Sequence, residues 1–559
     1  MALSRRITLF IFAFTLVTNL FSQSHYKFAV YFADKSPVGY PYSLSTPTDF
    51  LSQRSIDRRT KYSIPLTTTD LPIAPSYTAG VLGISDSIKF YNKSNWLNCI
   101  VVGTNDSTLA DSINQLSYVT QVKWIYKGVK PQTASDFPGT FGPPVTLTGA
   151  GYGIDYGLAD TQSTMMSLDY LHRKNYHGAG IVIAILDAGF TNVAGITAFD
   201  HLRDSSRILG TWDFVVNEES VTGDASHGMH VLSCMGGYIP GQFMGTAPQA
   251  SYWLLKTEDG GAETISEEYN WIAGAEFADS VGADMINSSL GYTTFDFPSM
   301  DHTYADMNGN TCIGSIGADL AASKGILVCN SVGNSGGNGW NYLGAPSDAD
   351  SILAVGAVKS NRANASFSSF GPSADGRIKP DVSSMGQASW IVGLIGIPQT
   401  GNGTSFSSPI LCGAVACLWQ KHPNKTNLEI MDAVRRSSHV YSVPTDQYGY
   451  GIPNFGVADK LLQSVDFTNY FTDQSIVVYP NPVTSMQISF DMYSNISEDM
   501  IVSISDTEGK TVYTEVIRTY EKSLNTYVLG FNKELARGTY ILSIYTGRKN
   551  FMVKFISQQ

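Results

Sequence analysis

A serine framed by small residues, in Gly403-Thr404-Ser405-Phe406-Ser407-Ser408-Pro409, is the stretch of this chain best suited to nucleophilic chemistry. Gly403 permits close backbone approach, and Pro409 suits the first turn of a helix, where its missing N–H costs little. Ser405 would then lie at a helix mouth, where unpaired N–H groups and the positive end of the dipole can stabilise a developing oxyanion. Serine and threonine also cap helices for structural reasons alone, so the stretch by itself does not separate nucleophile from cap. Two partners stand upstream: Asp187 in Asp187-Ala188-Gly189-Phe190, and His227 in Ser226-His227-Gly228-Met229-His230-Val231. Together they supply what acyl transfer needs: an orienting anion, a general base and a nucleophile.

These groups need rigid supports, and the flanking residues describe them. Ile181-Val182-Ile183-Ala184-Ile185-Leu186 is apolar at every position, as expected of a parallel strand buried on both faces. Asp187 then falls at the strand's C-terminal edge, where sites of open α/β sheets assemble. Histidine followed by glycine in His227-Gly228 suits a helix entrance. His230 is read as a buried, satisfied histidine rather than a second working one. Ile326-Leu327-Val328-Cys329 is a further buried strand leading into Asn330-Ser331-Val332-Gly333-Asn334-Ser335-Gly336. The amide of Asn334 could donate to a carbonyl oxygen as it becomes negative. The same residues also suit an ordinary glycine turn.

The chain order Asp…His…Ser differs from the His…Asp…Ser and Ser…Asp…His orders of other hydrolase scaffolds, and no G-x-S-x-G elbow surrounds Ser405. On these motifs the chain resembles the subtilisin-like (subtilase) serine proteases. Asp187-Ala188-Gly189 resembles the family's aspartate motif, His227-Gly228-Met229-His230-Val231 its histidine motif and Gly403 to Pro409 its serine motif. Val332-Gly333-Asn334 resembles the oxyanion-asparagine motif. Gly245-Thr246-Ala247-Pro248 and Lys379-Pro380-Asp381-Val382 fit as further landmarks. Ala283 to Gly291 resembles the strand whose backbone pairs with substrate, which makes Ser289, Leu290 and Gly291 candidate substrate-binding residues. The segment Gly336 to Asn341 is a further candidate for pocket lining. The resemblance implies a triad of Asp187, His227 and Ser405, an oxyanion hole at Asn334, and protein or peptide substrates. It covers about residues 155–465.

Three positions depart from the family pattern: Ala188 where Thr or Ser is usual, Met229 where Thr is usual, and Leu232-Ser233 where Ala-Gly is common. None removes a catalytic group, and Met229 is expected to line the site near His227.

The 559 residues exceed one hydrophobic core. Arg5-Arg6 followed by the mostly apolar Ile7 to Phe21 reads as a secretory signal peptide over 1–23, too short for a membrane span. No other stretch is apolar enough to form a stable span. A net charge of −12 with 15% charged residues argues against nucleic acid as a partner. Six cysteines (Cys99, Cys234, Cys312, Cys329, Cys412, Cys417) without a C-x-x-C pair are expected to be buried free thiols.

Residues 24–126 read as a mixed α+β unit, with strands over Tyr26–Phe32, Trp96–Val102 and Val119–Ile125. Helices are expected over Asp49–Arg59, burying Phe50, Leu51 and Ile56, and over Thr108–Leu116. The unit resembles subtilase propeptides, which assist folding and inhibit the enzyme until removed. Arg54, Arg58 and Arg59 are expected on a solvated helix face rather than a docking face. Residues 127–154 hold Pro131, Pro138, Pro143 and Pro144 and read as a linker, with maturation expected between about 126 and 160. Residues 471–559 return to short alternating strands, which indicates a β-sandwich. Tyr479-Pro480-Asn481-Pro482, Asp506 to Lys510, and Gly538-Thr539-Tyr540 resemble the C-terminal sorting domain of type IX secretion cargo in Bacteroidetes-type bacteria.

The fold expected is therefore α/β, a subtilisin-like parallel sheet with helices on both faces over 155–465, with an N-terminal α+β propeptide and a C-terminal β-sandwich. The function expected is a secreted or surface serine endopeptidase, exported through the periplasm by the type IX machinery. The alternative is a catalytically weak scaffold of the same family acting as a surface adhesin or binding protein; the presence of all four catalytic groups favours the enzyme. No cofactor follows from the residues. Calcium stays open: Asp306, Asn308 and Asn310 offer oxygens at alternating spacing, but no glutamate closes a twelve-residue loop, so a polar surface loop is expected.

Overall fold

The computed structural model describes residues 26–128, 154–463 and 476–558, apart from 36, 224, 477, 480, 484–485, 495–498, 519–522, 532–533 and 547–549. The expected signal peptide and the proline-rich linker with its maturation site lie outside the described residues, as does Pro480 of the C-terminal motif.

The N-terminal unit is a four-stranded antiparallel sheet in the order β2-β3-β1-β4, built from β1 (Tyr26–Phe32), β2 (Lys89–Ser94), β3 (Cys99–Thr104) and β4 (Val119–Lys127). Its helices are α1 (Gln53–Tyr62), α2 (Pro75–Leu82) and α3 (Leu109–Asn114). Alternation sorts the sheet's side chains: Phe28, Val30, Ile100 and Val102 pack with Tyr77 and Val81 of α2 and Ile113 of α3, while Ala29, Cys99 and Val101 face the other way. Trp96 precedes β3 in a turn instead of opening the strand as expected. The first helix starts four residues later than expected because Ser52 caps it, accepting from the Ser55 N–H. Its buried face is Ser55, Arg58 and Arg59, whereas Phe50 and Ile56 stay partly exposed and Leu51 is buried.

The central domain is a seven-stranded sheet in which every neighbouring pair is parallel, in the order β13-β12-β11-β10-β5-β9-β6. Its strands are β5 (Val182–Asp187), β6 (Ile208–Asp213), β9 (Ser251–Lys256), β10 (Met285–Ser288), β11 (Leu327–Ser331), β12 (Leu353–Val358) and β13 (Val382–Met385). Two hairpins, β7–β8 (238–239 with 243–244) and β14–β15 (Ser389–Val392 with Pro398–Gly401), lie apart from it. The apolar run of β5 is explained by helices on both faces. Ile183 and Ile185 pack with α7 (His227–Gly236) and α10 (Thr404–Lys421), and Val182, Ala184 and Leu186 with α8 (Ser266–Val281) and α9 (Ile313–Ser323).

The C-terminal unit is a sandwich of a three-stranded sheet (478–479, Gln487–Ser494, Ser523–Gly530) and a four-stranded one (Asp499–Asp506, Thr511–Arg518, Gly538–Tyr545, Asn550–Ser557). Ile488, Phe490, Val502, Ile504, Leu542 and Ile544 close its core.

The N-terminal unit seats its inner face on α8, so Ala29, Trp96, Val101 and Ile125 share one core with Tyr269 and Ile272. The arginines expected in solvent are here. Arg58 and Arg59 both donate to the buried carboxylate of Asp279, with Arg59 Nη2 to Oδ2 at 2.6 Å, and Arg54 pairs with Asp284. Arg59 also reaches Asp70, which pairs with Lys324 at 3.0 Å. Arg54 stays exposed, but for Arg58 and Arg59 the expectation of a solvated face failed because the burying surface belongs to another domain.

Candidate active site

The site is built from strand ends and helix mouths. Asp187, the last residue of β5, is buried by the sheet and by turn residues around it. Its Oδ1 accepts the Ala188 N–H at 2.8 Å and faces His227 Nδ1 at 2.7 Å. Its Oδ2 is buried without a hydrogen-bond donor among the described residues, and Ala188, next in the chain, has no hydroxyl to offer it. His227 is the first residue of α7. The glycine after it is required sterically: a Cβ on Gly228 would lie 2.7 Å from the Gly189 carbonyl and from the Phe190 ring. With Nδ1 donating to the carboxylate, a neutral imidazole presents Nε2 as the acceptor.

Ser405 is the second residue of α10, 9% exposed, and α10 packs on α7 with the Phe406 and His227 rings 6.3 Å apart. Gly403 before it has φ 153° and ψ 149°, a region that only glycine enters readily. The Ser405 hydroxyl reaches the Ser289 carbonyl at 3.4 Å, a long contact, and the Ser289 hydroxyl donates to the Ser405 carbonyl at 2.9 Å. One expectation is corrected here: Pro409 lies in the second turn of α10, not the first, so its missing N–H is one that a regular helix would use.

Asn334 follows Gly333, whose φ of 102° favours glycine. Its Oδ1 accepts both the N–H of Thr404 at 2.8 Å and the hydroxyl of Thr404 at 3.0 Å. Gly333 N–H in turn donates to Thr404 Oγ1 at 3.2 Å. Fixing the amide oxygen orients the plane and leaves the Nδ2 hydrogens for a ligand. The glycine turn and the oriented donor are therefore one structure.

Of the substrate-binding candidates, Ser289 and Leu290 are buried and Gly291 is exposed. Leu290 packs in the core shared with α8, so what this segment can offer a peptide is its backbone at the exposed glycine. Met229, expected to line the site, is fully buried in the core on the α7 side. Leu232 fills the same core. The Ser233 hydroxyl accepts from Val392 N–H at 3.0 Å, and His230 Nδ1 bonds the Val392 carbonyl at 2.9 Å. His230 is thus a satisfied structural histidine, its pKa pushed down to about 4 by burial.

Glu258, two residues past β9 and beside Asp187's strand, was not signalled by any motif. Burial first and Glu263 second raise its pKa, and the hydroxyls of Tyr292 and Thr257 donate to Oε1 at 2.7 and 2.9 Å. All six cysteines are buried and unpaired. Among the described residues no group of three or more His, Cys, Asp or Glu is arranged to hold a metal ion. Asp306 accepts the Thr303 N–H and hydroxyl, both at 2.7 Å, and Asn308 accepts the Asn310 N–H at 2.9 Å. No described helix is long and apolar enough to cross a membrane.

Comparison with known proteins agrees with this geometry. Residues 178–451 match the subtilase family. Residues 27–137 match a peptidase S8 propeptide domain of Bacteroidota, and 477–558 a secretion system C-terminal sorting domain. The chain is 32% identical over 311 residues to subtilisin NAT of Bacillus subtilis subsp. natto, covering 55% of this chain and 71% of that protein. It is 31% identical over 311 residues to subtilisin of Bacillus pumilus, covering 55% of this chain and 98% of that protein. An alkaline protease of Shouchella clausii is 28% identical over 319 residues, 56% of this chain and 72% of its own length.

Proposed function

The chain belongs to the subtilase family of serine peptidases, and from that premise we propose that it is a secreted endopeptidase working through Asp187, His227 and Ser405. Ser405 Oγ attacks the scissile carbonyl while His227 Nε2 takes its proton and returns it to the leaving amine. Asp187 holds the imidazole's tautomer and stabilises its protonated form. The oxyanion is received by the Asn334 amide and the Ser405 N–H, donors worth roughly 100- to 1000-fold each in rate. The observation that carries the reading is the 2.7 Å Asp187–His227 pair next to the mouth of the helix bearing Ser405, with Thr404 holding the Asn334 amide.

The sorting domain marks the chain for export to the cell surface or medium. The proposal includes delivery by type IX machinery and a zymogen stage in which residues 24–126 stay seated on α8 until the chain is cut between about 126 and 160. N-terminal sequencing of the secreted form checks the cut; an unprocessed start near Gln23 would refute it. Hydrolysis of casein and labelling by a fluorophosphonate probe test the chemistry. Ser405→Ala should abolish both, and undiminished activity in that variant would sink the assignment.

A further inference from the structure

Pro409 removes the N–H that would bond the carbonyl of Ser405, four residues earlier in α10, and its ring occupies the place of that donor. A buried carbonyl without its helix partner needs another donor or costs stability. The structure has one: the Ser289 hydroxyl, at 2.9 Å.

That hydroxyl is itself directed. Asn287, fully buried on β10, donates from Nδ2 to Ser289 Oγ at 3.2 Å, so the Ser289 proton is free to point to Ser405. Asn287 Oδ1 accepts from the Ser408 hydroxyl at 2.9 Å, which returns the chain of bonds to α10 one turn after Ser405. Every donor and acceptor in the loop is used in one sense only, which makes its direction determinate. The opposite contact, Ser405 Oγ to the Ser289 carbonyl, is long at 3.4 Å. The backbone of residue 405 is held firmly while its hydroxyl is held loosely.

We propose that Ser289 is a positioning residue for the nucleophile: its hydroxyl replaces the helix donor deleted by Pro409 and fixes the backbone of Ser405 against the strand end that follows β10. Serine at 289 and proline at 409 are then a matched pair. This rests on the reading of Ser405 as nucleophile. It adds a role for Ser289 distinct from contact with substrate, since the hydroxyl faces α10.

The pairing makes an unusual prediction. In matured enzyme, Ser289→Ala should lower kcat and the fluorophosphonate labelling rate about tenfold, with KM within about twofold, because the carbonyl is left without a donor. Adding Pro409→Ala restores a backbone N–H four residues after Ser405. The double variant should recover most of the lost kcat relative to Pro409→Ala alone. An unchanged kcat in Ser289→Ala, or a rise in KM with kcat intact, overturns the proposal, the latter pointing to substrate contact instead. A double variant as slow as the single one also overturns it. Should Ser289→Ala not fold, the double variant against Pro409→Ala decides: equal rates support the pairing and a tenfold deficit refutes it. Failure of wild-type Ser405 to label would instead refute the catalytic reading beneath it.

Discussion

Two buried aspartates on the central domain are treated in opposite ways. Asp187 at the end of β5 has one oxygen engaged by His227 and an amide and the other without a donor among the described residues. Asp279 on α8 has both oxygens on guanidinium groups of the N-terminal unit, Arg58 and Arg59. A carboxylate saturated by fixed cations holds two surfaces together and has little left to respond with. One that is sparsely bonded keeps its charge available for an imidazole that gains a proton mid-reaction. The same residue type, equally buried, joins two surfaces in one place and, in the proposed mechanism, serves chemistry in the other.

That contrast can be broken at either end. The largest effect is expected from Asp187→Asn, which preserves shape but favours the wrong histidine tautomer; kcat should fall about 10⁴-fold with an unchanged far-UV spectrum, read by steady-state peptide hydrolysis. Asp279→Ala should leave kcat of the matured enzyme unchanged while leaving buried Arg58 without its carboxylate and Arg59 with Asp70 alone. Breaking such a pair costs about 3 to 5 kcal/mol, so the cleaved N-terminal unit should be held at least about a hundredfold more weakly, measured by size-exclusion retention or inhibition. Equal retention would dissolve the contrast.

A subtler handle is Glu276, one turn before Asp279. It accepts the Ser94 hydroxyl and the N–H groups of Asn95 and Trp96, at 2.7 and 2.9 Å for the amides. Burial is the main cause that pushes its pKa up to about 7, against hydrogen bonds and the nearby Lys35 that lower it. The neighbouring Cys99 is raised by burial and by Glu276 itself, and Lys35 is pushed down to about 8, also by burial. A carboxyl whose bound pKa exceeds its released one favours the complex most below about 4.5, and that contribution disappears as pH rises through about 7. Retention of the N-terminal unit should therefore weaken from pH 5 to pH 8, and Glu276→Gln should flatten the profile.

The smallest effect is on stability in acid. His172, His230 and His439 have pKa values pushed down to about 3, 4 and 4, chiefly by burial. They contribute stability above their unfolded value near 6.5, lost as pH falls through the folded values. Calorimetry of the matured domain should show Tm falling between pH 6.5 and 4.

How much of this could be read from residue order varies by place. The β5 run announced itself because both its faces are covered, so every position is apolar. Its neighbour α8 could not be read that way. Tyr269, Asn270, Glu276 and Asp279 look like a solvated face, yet they are buried beneath another domain, with Tyr269 bonding Tyr31 at 2.6 Å. Arg58 and Arg59 misled for the matching reason. Pro409 sits one turn deeper than its local context suggests because a proline's tolerance inside a helix depends on what replaces its donor, and Ser289 is 120 residues away. Met229 points inward because, two residues into α7, it lies against the core under the sheet, and a helix entrance at His227-Gly228 does not say which neighbours will cover it.

What the chain alone determined was identity and order: a carboxylate ending an apolar strand, an imidazole before a glycine, an amide in a glycine turn and a serine after Gly403. Local rules suffice there, since strand ends and helix mouths place their own terminal residues. Tertiary structure alone decided which buried groups share a partner. Hydrogen bonds such as Ser289 to Ser405, and ion pairs such as Arg59 to Asp279, join segments far apart in sequence. Their geometry exists only once the sheet brings those segments within 3 Å.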